Sequence, residues 1–324
     1  MTNSLSNQAV DGGVDPAAIE RTRALIRPHV RRTPVIEVDG QEFGLGPCSL
    51  VLKLEYLQHA GSFKARGAFA NLLLRDVPEV GVAAASGGNH GAAVALAAQR
   101  LGHPARVFVP GYSSPAKVDR IRRYGAELVV GGDDIGDSFA ACTAWAAESG
   151  ALQVHPYDQR ETMLGTGTLA AELEEQAGPL DRVLVAVGGG GLLGGIASWF
   201  AGGVDVVGVE PVDAPTLHHA LAAGGPVVAP IGSLAADSLA PRRLGELVYP
   251  IAARWANRPV FVDDAAIAVA QHQLWDRLRI VVEPGGATAF ASLVSGAVTP
   301  QPGERIAVIL SGANTASIPA AGEP

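Results

Sequence analysis

Short apolar runs alternate along the chain with longer stretches whose apolar positions recur at helical spacing. LVLKLEY (50–56) predicts a strand and KARGAFANLLLR (64–75) a helix. VAAA (82–85), ARVFVP (105–110) and AELVVGG (126–132) read as strands. Between and after them, GAAVALAAQRLG (91–102), SPAKVDRIRRYG (114–125) and DSFAACTAWAAESG (137–150) read as helices, and ETMLGTGTLAAELEEQAG (161–178) as a further helix. VLVAV (183–187), DVVGV (205–209) and RIAVIL (305–310) are unbroken apolar runs of strand length, the pattern of parallel strands covered on both faces. Strands alternating with helices imply βαβ units, hence an α/β fold built on mostly parallel sheets. The segment PHVRRTPV (28–35) reads as a loop packed with the later half, and the first dozen and last few residues are expected to be mobile.

The chain has 324 residues, which at about 150 per domain suggests two domains. With 48% hydrophobic and 17% charged residues it has ample material for a core. A net charge of −8 and the lack of a basic stripe argue against nucleic acid as a partner. Two cysteines, Cys48 and Cys142, cannot form a disulfide framework, which fits a reducing cytoplasm. The N-terminus lacks the basic and apolar regions of a signal peptide. Residues 183–204 carry no charge and would be long enough to span a bilayer, but eight of these 22 are glycine. A strand, a glycine loop and a helix describe them better, so no membrane partner is expected.

Only three of the 24 basic residues are lysine: Lys53, Lys64 and Lys117. Lysine alone can form a Schiff base, so each asks for a reason. GSFKARGAF (61–69) puts Lys64 at a helix start, where the macrodipole disfavours a cation and lowers the amine's pKa. The plain alternative is an exposed lysine without a role. VLVAVGGGGLLGGI (183–196) is a strand, four glycines and a helix, a backbone cradle for phosphate. The same residues satisfy GxGxxG through Gly189, Gly191 and Gly194, with Glu210 ending the next strand, so a nicotinamide-linked Rossmann oxidoreductase is a rival reading. ASGGNHGAA (85–93) is a second glycine turn into a helix. Its Ser86, Asn89 and His90 are suited to hold a carboxylate or phenolate oxygen, or simply to cap the helix. SGANTA (311–316) places Ser311 at the carboxyl end of a strand, where ligands bind in open α/β sheets. No HExxH, CxxC or GxSxG occurs, and His218 and His219 read as surface residues.

Taken in order, SFKARGA, SGGNHG, GGGGLLGG and LSGAN resemble the motifs of fold-type II pyridoxal-phosphate enzymes, in the serine/threonine dehydratase (ammonia-lyase) and serine racemase branch. AADSLAPRRLGE (235–246) and VVEPGGA (281–287) fit as well, and the likeness runs from Arg23 to Thr315. The resemblance implies a two-domain, tryptophan synthase β-like fold, with a large cofactor domain over 1–55 and 156–324, a small domain over 56–155, and a homodimer. Lys64 would hold pyridoxal 5'-phosphate as a Schiff base and later move the substrate α-proton. Phe63, Asn89, Glu283 and Ser311 would contact the cofactor, and Gly188, Gly189, Gly190, Gly191 and Leu192 would cradle its phosphate. Ser62, Ser86, Asn89 and His90 would hold the amino-acid substrate, with Ser86 also catalytic. The implied reaction eliminates water from L-threonine or L-serine to give a 2-oxo acid and ammonia.

Departures from the family pattern carry content. Gly87 stands where the branch's racemases place a second serine, so elimination is expected to outrun racemisation. The family's divalent or monovalent cation site uses a Glu, a carbonyl and an Asp. Glu210 and Ala214 match, but Thr216 takes the last position, one carboxylate short. Ala92 and Ser238 replace a frequent glutamine and glycine near the expected site, which points to a substrate other than plain threonine.

Overall fold

The computed structural model describes residues 13–315, so the expected mobility of the two ends lies outside the described residues. Two sheets organise the chain. The larger has strand order β1-β2-β10-β7-β8-β9, with β1 Val35–Asp39, β2 Ser49–Lys53, β7 Arg182–Ala186, β8 Asp205–Pro211, β9 Val260–Val262 and β10 Arg305–Ile309. The smaller has order β5-β4-β3-β6, with β3 Val82–Ala85, β4 Ala105–Val109, β5 Glu127–Val130 and β6 Leu152–Gln153. Every pairing is parallel except β1 with β2.

The apolar runs alternate between two buried faces, as a doubly covered strand requires. In the large sheet Val51, Val183, Val185, Ala307 and Ile309 face the helices Pro16–Ile26, Arg160–Ala177, Gly191–Phe200 and Val248–Trp255. Leu50, Leu52, Leu184, Ala186, Ile306 and Val308 face the opposite way, onto Asp264–Leu278 and Pro284–Val294. In the small sheet Val82 and Ala84 pack on Lys64–Leu74 and Asn89–Leu101, and Val107 and Val109 share a cluster with Val118 and Ile121 of helix Pro115–Arg123.

The strands and helices expected up to residue 210, and the strand at 305–310, are found within two or three residues of their expected bounds. LVLKLEY ends three residues early, because the chain turns into a 3-10 segment at Glu55–Leu57 after β2. The uncharged stretch 183–204 divides into β7, the glycine turn and a ten-residue helix, about 15 Å long at 1.5 Å per residue. Among the described residues no helix is long and apolar enough to cross a membrane.

The topology creates two crevices. In the small sheet the chain runs from β3 outward to β4 and β5, while β6 lies on the other side of β3. In the large sheet β7 continues to β8 and β9, while its other neighbour is β10. Loops leaving adjacent parallel strands in opposite directions part at their carboxyl ends, which is where such sheets bind ligands. The loops concerned are those after β3 and β6, and those after β7 and β10.

Candidate active site

Lys64 opens the helix Lys64–Leu74. Its Nζ donates to the carbonyl of Pro156, in the loop after β6, at 2.6 Å, and lies 4.9 Å from the Phe63 ring centre. Among the described residues no carboxylate pairs with it, and burial pulls its pKa down to about 8. The nearby imidazoles add no positive charge. Burial, then the Lys64 charge, hold His90 down at about 3, and burial holds His155 at about 4. The site therefore keeps an amine near neutrality among uncharged neighbours.

Pro156 leads into Tyr157, and Tyr157 closes over the glycine turn after β7. A Cβ on Gly189 would fall on the Tyr157 ring, and one on Gly191 would lie 2.8 Å from the Tyr157 Cα. Gly190 adopts φ +85°, and a Cβ there would meet Leu244 and Val248 at 2.7 Å. A Cβ on Gly188 would stand 3.1 Å from Leu239. Four glycines are thus needed for backbone approach as well as for turning. The first helical bond runs from Gly194 N–H to the Gly190 carbonyl at 2.7 Å, so the N–H groups of Gly191, Leu192 and Leu193 have no partner inside the helix. They end a helix where its dipole favours an anion.

On the other side of Lys64, the Phe63 N–H donates to the Ser311 carbonyl at 3.0 Å, and Ser62 bridges Gly312. Ser62 is buried, and its Oγ has no hydrogen-bond partner among the described residues. The Ser311 hydroxyl makes only a long 3.5 Å approach to the Gly285 carbonyl. Asn89 donates to Glu283 at 2.5 Å and accepts from Asn314 at 2.5 Å. Burial raises the Glu283 pKa, opposed by the Asn89 hydrogen bond and by the charges of Lys117 and Arg120. Ser86 lies in the loop after β3, where its Oγ accepts from the Gly88 N–H at 3.1 Å.

Phe63, Lys64, Ser62, Asn89, Glu283, Ser311 and the glycine turn are therefore joined through shared neighbours into one wall. Two expected residues sit differently. The His90 ring is buried, with Nε2 2.9 Å from the Val154 carbonyl, so it flanks Lys64 while its ring nitrogen is occupied. Ser86 makes no hydrogen bond to Lys64. Ala92 packs in the apolar cluster under helix Pro115–Arg123, whereas Ser238 lies against Gly285, inside the site. The sequence reading did not single out Tyr157, the Pro156 carbonyl or Asn314. Tyr157 and Pro156 belong to a loop with no motif of its own, and only its position after β6 would reveal them.

Glu210 is buried at the end of β8, and burial raises its pKa to about 7. One carboxylate oxygen accepts from the Leu217 N–H at 2.7 Å and from Thr216 Oγ1 at 3.2 Å, and the other accepts from the His218 N–H at 3.0 Å. It caps the helix Thr216–Ala223, so it is not presented to a nucleotide ribose, and the dinucleotide reading loses its acidic partner. Among the described residues no group of three or more His, Cys, Asp or Glu side chains is placed to hold a metal. His218 is exposed, as expected, and packs edge-on to Phe261 at 5.1 Å.

The comparisons with known proteins point the same way. A family model described as "Pyridoxal-phosphate dependent enzyme" matches residues 26–312. The chain is 41% identical over 307 residues to a phenylserine dehydratase of Ralstonia pickettii, covering 93% of each protein. It is 37% identical to an L-threonine ammonia-lyase of Geobacter sulfurreducens, over 89% of this chain and 73% of the relative. Among solved structures, maize serine racemase superposes with a TM-score of 0.85 at 31% identity, covering 93% of this chain and 94% of that one.

Proposed function

Since this chain belongs to the pyridoxal-phosphate dependent enzyme family, we propose that it is a lyase that removes water and then ammonia from a β-hydroxy amino acid such as L-threonine or L-serine, leaving a 2-oxo acid. The observation that carries this reading is the Lys64 amine, held near pKa 8 with only a carbonyl partner between the glycine turn and the Asn89–Ser311 wall. The residues fit the cofactor. Lys64 is free for a Schiff base, and the turn offers a phosphate the unpaired N–H donors of a helix start. Asn89 and Ser311 offer neutral hydrogen-bonding groups to a ring. When bound, pyridoxal phosphate acidifies the substrate's α C–H bond and promotes loss of the β-substituent.

The chain's own residues do the rest. The Lys64 amine takes the α-proton, for which a base of pKa about 8 is well matched near neutral pH. The loop at Ser86–Asn89 and the helix start behind it hold the α-carboxylate with hydroxyl, amide and N–H donors. Ser311 supplies a hydroxyl where a carboxylate would keep a pyridine nitrogen protonated. Tyr157, over the glycine turn, keeps water from the phosphate side. The division into a large domain of 1–55 and 156–324 and a small one of 56–155, a homodimer and a cytoplasmic setting belong to the same reading.

Racemisation is the second reading, because a serine racemase of Oryza sativa subsp. indica is 33% identical over 309 residues. It requires a proton donor on the opposite face. Gly87 has none, and a Cβ built there would meet the Ser113 hydroxyl. The deciding experiment is the visible spectrum of the purified protein, before and after adding L-serine, L-threonine or phenylserine, with 2-oxo acid, ammonia and serine enantiomers measured together. A substrate-shifted band with accumulating 2-oxo acid supports the lyase. D-serine forming faster than pyruvate supports the racemase. A protein still colourless after incubation with pyridoxal phosphate overturns both.

A further inference from the structure

We infer that Thr216 is a positioning residue for the phosphate turn, its hydroxyl bracing the Gly188 carbonyl where the family's cation would otherwise serve. The brace acts on the cofactor, so a lyase and a racemase need it alike. A run of four glycines lets a phosphate come close, but glycine backbone turns freely, so outside support must keep the N–H groups aimed. In a planar trans peptide the carbonyl of one residue and the N–H of the next point in opposite directions. Fixing the four glycine carbonyls therefore fixes the N–H groups of Gly189, Gly190, Gly191 and Leu192. Each carbonyl is held. Gly189 accepts from the Gly245 N–H at 3.1 Å, Gly190 from the Gly194 N–H at 2.7 Å, and Gly191 from Thr166 Oγ1 at 2.8 Å. Gly188 accepts from Thr216 Oγ1 at 2.5 Å. The N–H groups of Gly189 and Gly190 have no hydrogen-bond partner among the described residues.

Thr216 is itself placed by Glu210, and both are buried. The hydroxyl has one proton, and at 2.5 Å against 3.2 Å the Gly188 carbonyl takes it rather than Glu210. Glu210 accepts the Leu217 and His218 N–H groups at 2.7 and 3.0 Å, which seats the helix Thr216–Ala223 with its first residue against the turn. A cation here would need the Glu210 carboxylate, the Ala214 carbonyl and a third oxygen. Both carboxylate oxygens are taken by N–H groups of a helix start, whose dipole already sets positive charge beside them. The Ala214 carbonyl accepts from the Thr216 N–H at 3.2 Å, and the third position is a neutral hydroxyl that adds no charge. These residues do not fit a cation. They supply by hydrogen bonding the support that a cation would give.

The test titrates the full chain with pyridoxal phosphate, and with pyridoxal, which lacks the phosphate, reading affinity from the visible band. Wild type is measured in EDTA, in Mg²⁺ and in K⁺, and its affinity for pyridoxal phosphate is expected to be the same in all three. Thr216→Val and Thr216→Ala remove the hydroxyl. Both are expected to weaken pyridoxal phosphate about tenfold, equivalent to about 1.4 kcal/mol, and to leave pyridoxal unchanged. Thr216→Ser keeps the hydroxyl and is expected to bind both as wild type does, with thermal denaturation showing which variants are folded. Equal loss of both ligands would make Thr216 a merely structural residue and overturns the inference. So does full affinity for pyridoxal phosphate without the hydroxyl. Wild-type affinity that rises with either cation overturns it as well, and that measurement needs no substitution to fold.

Discussion

Two residues apart on one helix, Lys64 and Arg66 show opposite treatments of a buried cation. Arg66 is fully buried and saturated. It forks onto Glu55 at 2.9 and 2.7 Å, reaches Glu172 at 3.0 and 2.8 Å, and meets Thr168 at 3.2 Å. Lys53 joins the same cluster through Glu172 at 3.0 Å, Gln176 at 2.8 Å and the Thr33 carbonyl at 2.8 Å. Two cations face two carboxylates. Burial alone would lower the Arg66 pKa, but Glu55 and Glu172 raise it above the ordinary value, so the guanidinium never titrates. Lys64, given one carbonyl and no carboxylate, drops to about 8. Pairing fixes a charge in place, and withholding the partner makes it chemically available.

The sharpest way to break this comparison is to remove the reactive amine. Lys64→Met keeps the bulk of the side chain, and turnover is expected to fall by about 10³-fold or more, with thermal stability preserved or raised. Steady-state formation of 2-oxo acid measures it. Activity within tenfold of wild type sinks the role of Lys64.

The mirror experiment is Arg66→Met. It leaves Glu55 and Glu172 facing Lys53 alone inside the protein. Removing one partner from a buried ionic cluster is expected to lower stability by about 3–5 kcal/mol, read by chemical denaturation. The cluster ties β2, the helix Lys64–Leu74 and the helix Arg160–Ala177 together, so residual folded variant is also expected to bind pyridoxal phosphate more weakly. A loss below 1 kcal/mol would mean the cluster is not the anchor of the lysine's helix.

The contrast also marks how far the sequence can be read. The parallel strands were legible because residues such as Leu184 and Val185 are apolar on both faces, and the glycine turn because four glycines exceed what a turn needs. Lys64 stood out through the scarcity of lysine. Other features have no local signal. The short strand Val35–Asp39 pairs antiparallel at the sheet edge, and half-buried alternation over five residues is easily taken for loop. The helices Asp264–Leu278 and Pro284–Val294 cover a sheet face that includes β2 and β7, which lie far away in sequence. Arg66 reads as one more surface arginine until Glu172, 106 residues on, is folded against it. His90 sits in a polar motif, yet its ring turns inward to the Val154 carbonyl, a partner set by the neighbouring strand β6.

The smallest expected effect is the most specific to Lys64. In the protein free of pyridoxal phosphate, the amine has a folded pKa of about 8 against an ordinary 10.5. Between these values the unfolded chain binds a proton that the native state does not, so stability rises with pH across the window. The gain is on the order of 1 kcal/mol. Other groups oppose it there: burial holds the Cys142 thiol up at about 12 and raises the Tyr56 and Tyr157 hydroxyls, so the native state keeps protons that the unfolded chain loses. The raw pH profile is therefore ambiguous, and the difference between wild type and Lys64→Met is the quantity to follow, because the opposing groups are common to both. That difference is expected to shrink in favour of wild type from pH 8 to 10.5. A flat difference would place the amine's pKa near its ordinary value, and Lys64 would then be held no differently from a surface lysine.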